Sequence, residues 1–177
     1  YHLLDSMVVF TAFGDRILVQ PSPQDSITID GPFGDMLNEP PFENICAKAL
    51  TMFRLASGRI GPLAIHIRKD IPVGAGLGGG SSNAAALLRW LQENADGAVP
   101  DVSLSEIAPS LGADVPACLA GRALQMTGIG ETITLMSIAP HGRILLASPR
   151  VLMPTKTIFT ALAQSDFAIG EDANAVS

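Results

Sequence analysis

Apolar and polar positions along the chain fall into several β-like stretches, helical stripes and one glycine-rich interruption. Residues 6–12 and 16–20 are rich in β-formers and are separated by Phe13-Gly14-Asp15, while SITID at 26–30 alternates with a period of two. Their simplest arrangement is an antiparallel meander. After a Gly/Pro-punctuated loop at 31–42, Ile45, Ala49, Met52, Phe53 and Ala56 recur at helical spacing, with Gly58 as a stop. LAIHIRK at 63–69 is the best strand, with Ile65 and Ile67 on one face and Ala64, His66 and Arg68 on the other.

The glycine stretch follows that strand, and from Ser81 or Ser82 NAAALLRWLQENA reads as a helix ended by Asp96-Gly97. Its first two turns carry almost no polar side chains, which predicts deep burial. SLSE at 103–106 predicts a capping box opening a helix that Gly112 ends, and Asp114-Val115-Pro116 predicts a second helix start. RALQMT and TITLMS flank Gly128-Ile129-Gly130-Glu131 as a hairpin, and RILLASP at 143–149 reads as a fresh buried strand. A domain boundary is expected near 138–142.

Composition narrows the function classes. With 47% apolar residues among 177, the chain suffices for one domain and part of another. Eleven basic against 17 acidic residues leave a net charge of −6, so no global cationic field exists to hold nucleic acid or an anionic membrane. An anionic ligand must be held by a local device. Cys46 and Cys118 lack metal-type spacing and read as reduced core residues. No apolar run approaches the roughly 18–20 residues of a spanning helix, and a cytoplasmic protein is expected. YHLLDSMVVF has neither an initiator Met nor a signal-peptide pattern, and GEDANAVS is polar, so truncation at both ends is expected.

The local device is Pro72-Val73-Gly74-Ala75-Gly76-Leu77-Gly78-Gly79-Gly80-Ser81-Ser82, with five glycines from Gly74 to Gly80. Glycine costs conformational entropy on folding, so this density signals close approach to the backbone. Converging N–H groups, the positive end of a following helix and two hydroxyls suit a polyphosphate. A Walker A loop is excluded, because its lysine is missing. Gly74, Gly76 and Gly79 fit GxGxxG, but Asp96 and Asp101 stand in a Gly/Pro loop leading to another helix, where a dinucleotide fold needs a second strand. A flexible linker seldom feeds directly into a buried helix.

PxGxGLGxxSS between an alternating strand and an alanine-rich helix resembles the ATP loop of the GHMP kinases. Tyr1-His2, Asn44 with Lys48-Ala49, Gly112-Ala113-Asp114-Val115-Pro116, and Pro154-Thr155 with Phe159 extend the resemblance in order along essentially the whole chain. The GLGGGSSNAA form points to the branch whose alcohol substrate carries a cytosine. The resemblance implies an α+β fold: a ribosomal-protein-S5-domain-2-like ATP-binding domain at 1–140, lacking its first strand, and the start of a ferredoxin-like domain at 141–177.

It also implies roles. Asp114 would accept or orient the substrate hydroxyl proton; by position alone it reads as an ordinary helix cap, and the two roles are compatible. Pro72 through Ser82, with Asn44 and Lys69, would hold ATP, although a surface lysine at 69 is equally ordinary. Tyr1 and Phe159 would sandwich a cytosine that His2 hydrogen-bonds, with Thr155 nearby; without the resemblance they read as a frayed terminus and a helix core residue. His66 and His141 read as surface residues. Mg²⁺ is expected as the ATP counter-ion with Ser81 or Ser82 the nearest ligand, no dedicated protein metal site being marked. The family's partner lysine for Asp114 is expected upstream of Tyr1. Small-molecule substrates are the expected partners, with no nucleic acid or membrane, in a monomer or homodimer. The rival readings are a GHMP kinase for mevalonate-, sugar- or homoserine-type alcohols, a non-catalytic nucleotide-binding fragment, and a dinucleotide-binding module.

Overall fold

The computed structural model describes residues 4–37, 40, 43–57, 59–95, 103–128, 130–138, 140, 142–147, 157–158 and 160–161. Its elements run β1 (Leu4–Val8), β2 (Arg16–Pro21), β3 (Ser26–Asp30), a 3₁₀ turn (Gly34–Met36), α1 (Ile45–Ser57) and β4 (Leu63–Arg68). Then come α2 (Gly79–Asn94), α3 (Leu104–Leu111), α4 (Val115–Ala120), β5 (Leu124–Gly128) and β6 (Thr132–Leu135).

The strands form two sheets, ordered β2-β4-β3 and β1-β5-β6. This corrects the expected meander. β4 lies between β2, to which it runs antiparallel, and β3, to which it runs parallel. Leu63, Ile65 and Ile67 make β4 the most apolar strand of its sheet, and each is 3% exposed or less. The central place gives such a strand neighbours on both edges, and β2 and β3 are displaced to its flanks. Parallel β3 and β4 require a crossover, which α1 supplies. Register aligns Ile17, Ile67 and Ile29 in one row and Val19, Ile65 and Ile27 in the next.

Those rows pack against the helices. Cys46, Ala49 and Phe53 of α1 and Ala84, Leu88 and Leu91 of α2 are fully buried. Small residues at 84 and 85 let α2 approach closely; its burial begins at Asn83 and continues through Ala85, Leu87 and Leu88, whereas its first turn, Gly79–Ser82, is half-buried to exposed, so the predicted deep burial holds only from the second turn. α3 and α4 complete this layer through Ile107, Ala108 and Val115. In the second sheet, β1 pairs with β5 from Leu4↔Gly128 to Val8↔Leu124 and ends where its partner begins, so residues 9–12 are not strand. Leu124 and Met126 pack there with Ala117 of α4. The β5–β6 hairpin forms as predicted.

Two further expectations fail. Ser103 makes no side-chain cap to α3; its hydroxyl pairs with Ser105, so the capping box does not form. Residues 143–147 are exposed and carry no strand, and among the described residues no neighbour offers them a ladder partner. Both cysteines are free and buried, as expected. Among the described residues, no helix is long and apolar enough to cross a membrane.

Candidate active site

β4 delivers the chain to the glycine loop, and α2 receives it at Gly79, earlier than the predicted Ser81 or Ser82. Between them Gly74, Gly76 and Gly78 take φ of 69°, 70° and 65°. A side chain at 76 or 78 would meet nothing within 4 Å, so left-handed backbone rather than crowding demands glycine there. Left-handed residues at alternate positions are a backbone pattern from which N–H groups can converge on one side, as in an anion nest. Gly79 is held by contact instead: a Cβ would lie 3.1 Å from Ile71 Cγ2 and 3.2 Å from Lys69 Nζ.

The loop borders an open cavity of about 320 Å³ that is also lined by Asn44, Ile45, Ile67, Lys69 and Asn83. Pro72 through Ser81 all contribute to its wall, whereas Ser82 is exposed outside it. Asn44, 4% exposed, precedes α1 and accepts the Cys46 N–H on Oδ1 at 2.9 Å. A capping bond therefore fixes one polar group of the cavity.

Of the two readings its position allowed, a residue reaching the nucleotide or an ordinary exposed lysine, the burial of Lys69 removes the second. Lys69 is 4% exposed, and Nζ pairs with Asp15 Oδ2. The Asp15 carboxylate, itself 1% exposed, also accepts the N–H groups of Asp70 at 2.9 Å and Ile71 at 2.8 Å and the Asn83 amide at 2.9 Å. Sequence reasoning placed Asp15 in a turn and passed over Asn83. Nothing in the local pattern marks either one, because their partners lie 54 to 68 residues away.

Asp114 stands at the N-cap of α4 with a helical φ of −85°. Its carbonyl accepts the Cys118 N–H at 3.0 Å, but its exposed side chain makes no capping bond. Capping does not occupy the carboxylate. The turn before α4 lies against the start of α2: a Cβ on Gly112 would sit 3.9 Å from Ser81 Oγ. At the far end of α4, Arg89 of α2 donates from Nη1 to the carbonyls of Cys118 and Leu119, both at 3.1 Å. Burial, with Asp114's charge adding and Arg89's opposing, pushes the Cys118 thiol up to about 11.

Among the described residues no group of three or more His, Cys, Asp or Glu could hold a metal ion. The loop instead offers backbone N–H groups and the Ser81 hydroxyl, a donor set for an anion that brings its own cation. His66 is a partly exposed strand residue bonded to Thr28 Oγ1 at 2.9 Å and 3.4 Å from Asp30. Tyr1, His2, His141, Thr155 and Phe159 lie outside the described residues.

Comparison with known proteins agrees with this geometry. Residues 44–122, spanning α1 through α4, match the family of GHMP kinases N terminal domains. The chain is 42% identical over 167 residues to a 4-diphosphocytidyl-2-C-methyl-D-erythritol kinase of Agrobacterium fabrum, covering 92% of the chain and 56% of the relative. It is 40% identical to the kinase of the same name from Rhizobium johnstonii, over 94% of the chain and 55% of the relative. The chain thus spans about half the length of the curated relatives it matches.

A crystal structure of a 4-(cytidine 5'-diphospho)-2C-methyl-D-erythritol kinase superposes with a TM-score of 0.64 at 35% identity, over 78% of this chain and 48% of that one. Homoserine kinase from Cytophaga hutchinsonii, at 17% identity and a TM-score of 0.55 over 73% of this chain and 45% of that one, shares the fold. Residues 44–122, which carry the loop between β4 and α2 and the Asp114 turn beside it, are thus similar to the GHMP kinases N terminal domain, and the fold is that of the GHMP kinases.

Proposed function

We propose that the protein carrying this chain transfers the γ-phosphoryl group of ATP to the 2-hydroxyl of 4-diphosphocytidyl-2-C-methyl-D-erythritol. The observation that carries the reading is the nest-like backbone of Gly74, Gly76 and Gly78 bordering its cavity, with an uncapped carboxylate at Asp114 on the adjoining turn. The relatives named for this kinase support the choice of substrate.

In the proposed reaction, N–H groups of the loop and the positive end of α2 hold the ATP phosphates, with Asn44 and Lys69 lining the cavity. Ser81 would be the nearest protein ligand to the Mg²⁺ that accompanies ATP, which would supply neutralising charge at the phosphates. Asp114 accepts the proton of the 2-hydroxyl while that oxygen bonds to the γ-phosphorus. The bond from phosphorus to the bridging oxygen breaks, and ADP leaves. Tyr1 and Phe159 stacking on cytosine, with His2 and Thr155 at its edge, are proposed as the base-reading residues. Residues 1–140 are assigned to the ATP-binding domain and 141–177 to the start of the second, in a cytoplasmic enzyme.

The test is ADP release by the full-length protein with this alcohol as acceptor, beside mevalonate and homoserine. Asp114→Asn should abolish turnover and leave ATP affinity largely intact; near-normal turnover overturns the role of Asp114. Failure of CMP and CDP to compete with the alcohol overturns the choice of substrate.

A further inference from the structure

We infer that Asp15 is a positioning residue for the nucleotide loop, its single buried carboxylate clamping the strand-side and helix-side ends of the glycine stretch together. The inference rests on the proposal that this loop holds ATP.

Oδ1 of Asp15 accepts two consecutive backbone N–H groups, Asp70 at 2.9 Å and Ile71 at 2.8 Å, where the chain leaves β4. Oδ2 accepts Asn83 Nδ2 at 2.9 Å, from the first turns of α2, and the ammonium of Lys69. Four donors occupy the roughly four lone-pair sites of a carboxylate. Asp15 is itself fixed, because it immediately precedes β2, whose first residue, Arg16, pairs with Arg68 of β4.

The segment between the anchors depends on them. Residues 72–77 carry only a turn at Val73-Gly74 and a bend through Ala75–Leu77, and among the described residues no backbone bond of good geometry is donated from them to another backbone group. Its shape is therefore set by the glycine dihedrals and by where its two ends are held. Leaving most of the segment's N–H groups unspent suits an anion, but a nest so lightly tied loses its aim if the ends move apart. Lys69 adds a second link, since its Nζ lies 3.2 Å from the position of a Cβ on Gly79. Asp15 thereby fixes the ammonium under the loop as well as the loop's two ends. None of its bonded partners lies on the phosphate-facing backbone, so its effect on ATP passes through Ile71, Asn83 and Lys69.

The test compares Asp15→Asn, Asn83→Ala and their combination with wild type in the full-length protein. ATP affinity is read by calorimetry at 25 °C, kcat and KM by ADP release, and Tm by thermal unfolding. Asp15→Asn should raise the ATP Kd and KM at least tenfold while kcat stays within threefold and KM for the alcohol is unchanged. Asn83→Ala should shift ATP binding in the same direction by less. The double variant should bind ATP no worse than Asp15→Asn, because Asn83 acts through that carboxylate.

A lowered Tm with an ATP Kd within twofold of wild type marks a merely structural residue and overturns the inference. So does a double variant whose loss equals the product of the single losses. If Asp15→Asn fails to fold, Asn83→Ala decides, since it cuts one arm of the clamp without stranding the ammonium; an unchanged Kd there overturns the inference. Wild-type protein that binds no ATP overturns the kinase reading itself, whereas wild-type binding with unaltered variants overturns only the clamp.

Discussion

Arg89, in the middle of α2, donates to the carbonyl oxygen of Leu119 at 3.1 Å and so ties the helix behind the glycine loop to the C-terminal end of the helix that Asp114 opens. The same Nη1 reaches Cys118 at an equal distance. Cationic groups at helix C-termini are favourable, and α4 is only six residues long, so fixing one end fixes the other.

Arg89→Met should therefore lower stability by about 1–2 kcal/mol, the scale of two modest charge-assisted bonds. It should lower kcat several-fold with little change in KM for ATP, since the displaced element carries Asp114 and not the loop. Urea denaturation and steady-state kinetics on one preparation check both parts.

Gly78→Ala tests the loop's backbone. The residue adopts φ of 65° in open space, so the added methyl meets no neighbour and the cost is conformational, about 1–2 kcal/mol. ATP affinity should fall about tenfold if that cost is taken up by the loop relaxing to negative φ. Calorimetric titration with ATP reads it, and Tm should fall by a few degrees at most.

A pH dependence follows from Asp25. Arg54 donates to both of its oxygens, at 2.5 and 2.9 Å, and the Leu63 N–H adds a bond at 2.8 Å. The Arg54 hydrogen bonds hold the carboxyl below its ordinary value of 3.8 against the opposing cost of partial burial. The stabilisation from this lowered value is therefore present above the unfolded value and lost as pH falls through the folded one. Because the pair is partly exposed, about 0.2–1 kcal/mol is at stake. Wild type should melt above Asp25→Asn at pH 6, and the gap should close as pH is taken well below 4; a gap independent of pH contradicts the assignment.

Cys118 is predicted to be unreactive. With its thiol pushed up to about 11, roughly one part in a thousand is thiolate at pH 8, and the residue is only 8% exposed. Iodoacetamide at pH 8 should leave Cys118 unmodified in native protein and label it rapidly in guanidinium, as mass spectrometry can show.

Local patterns were enough for most of the helices and strands and for part of the site, but not for the strand expected at 143–149, of which residues 143–147 carry none. The α1 stripe at Ala49 and Phe53, the alternation of β4 and the small buried pair Ala84-Ala85 of α2 each record one face turned to a core, which periodicity reports directly. The glycine density at 74–80 was legible for the same local reason: positive φ at Gly74, Gly76 and Gly78 is a requirement of each residue's own backbone.

What tertiary structure alone decided was partnership. β2 and β3 look like neighbours in sequence, yet β4 enters between them, because the most apolar strand gains most from the centre of the sheet. Asp114 looked like a helix cap, but its side chain makes no capping bond. Lys69 had local surroundings that fit a surface lysine as well as a nucleotide contact, and its burial depends on Asp15, 54 residues earlier. Sequence by itself determined where the backbone must be unusual and which faces are apolar. Which charges meet, and therefore what holds the loop in place, was decided by contacts between residues far apart in the chain, which no periodicity records.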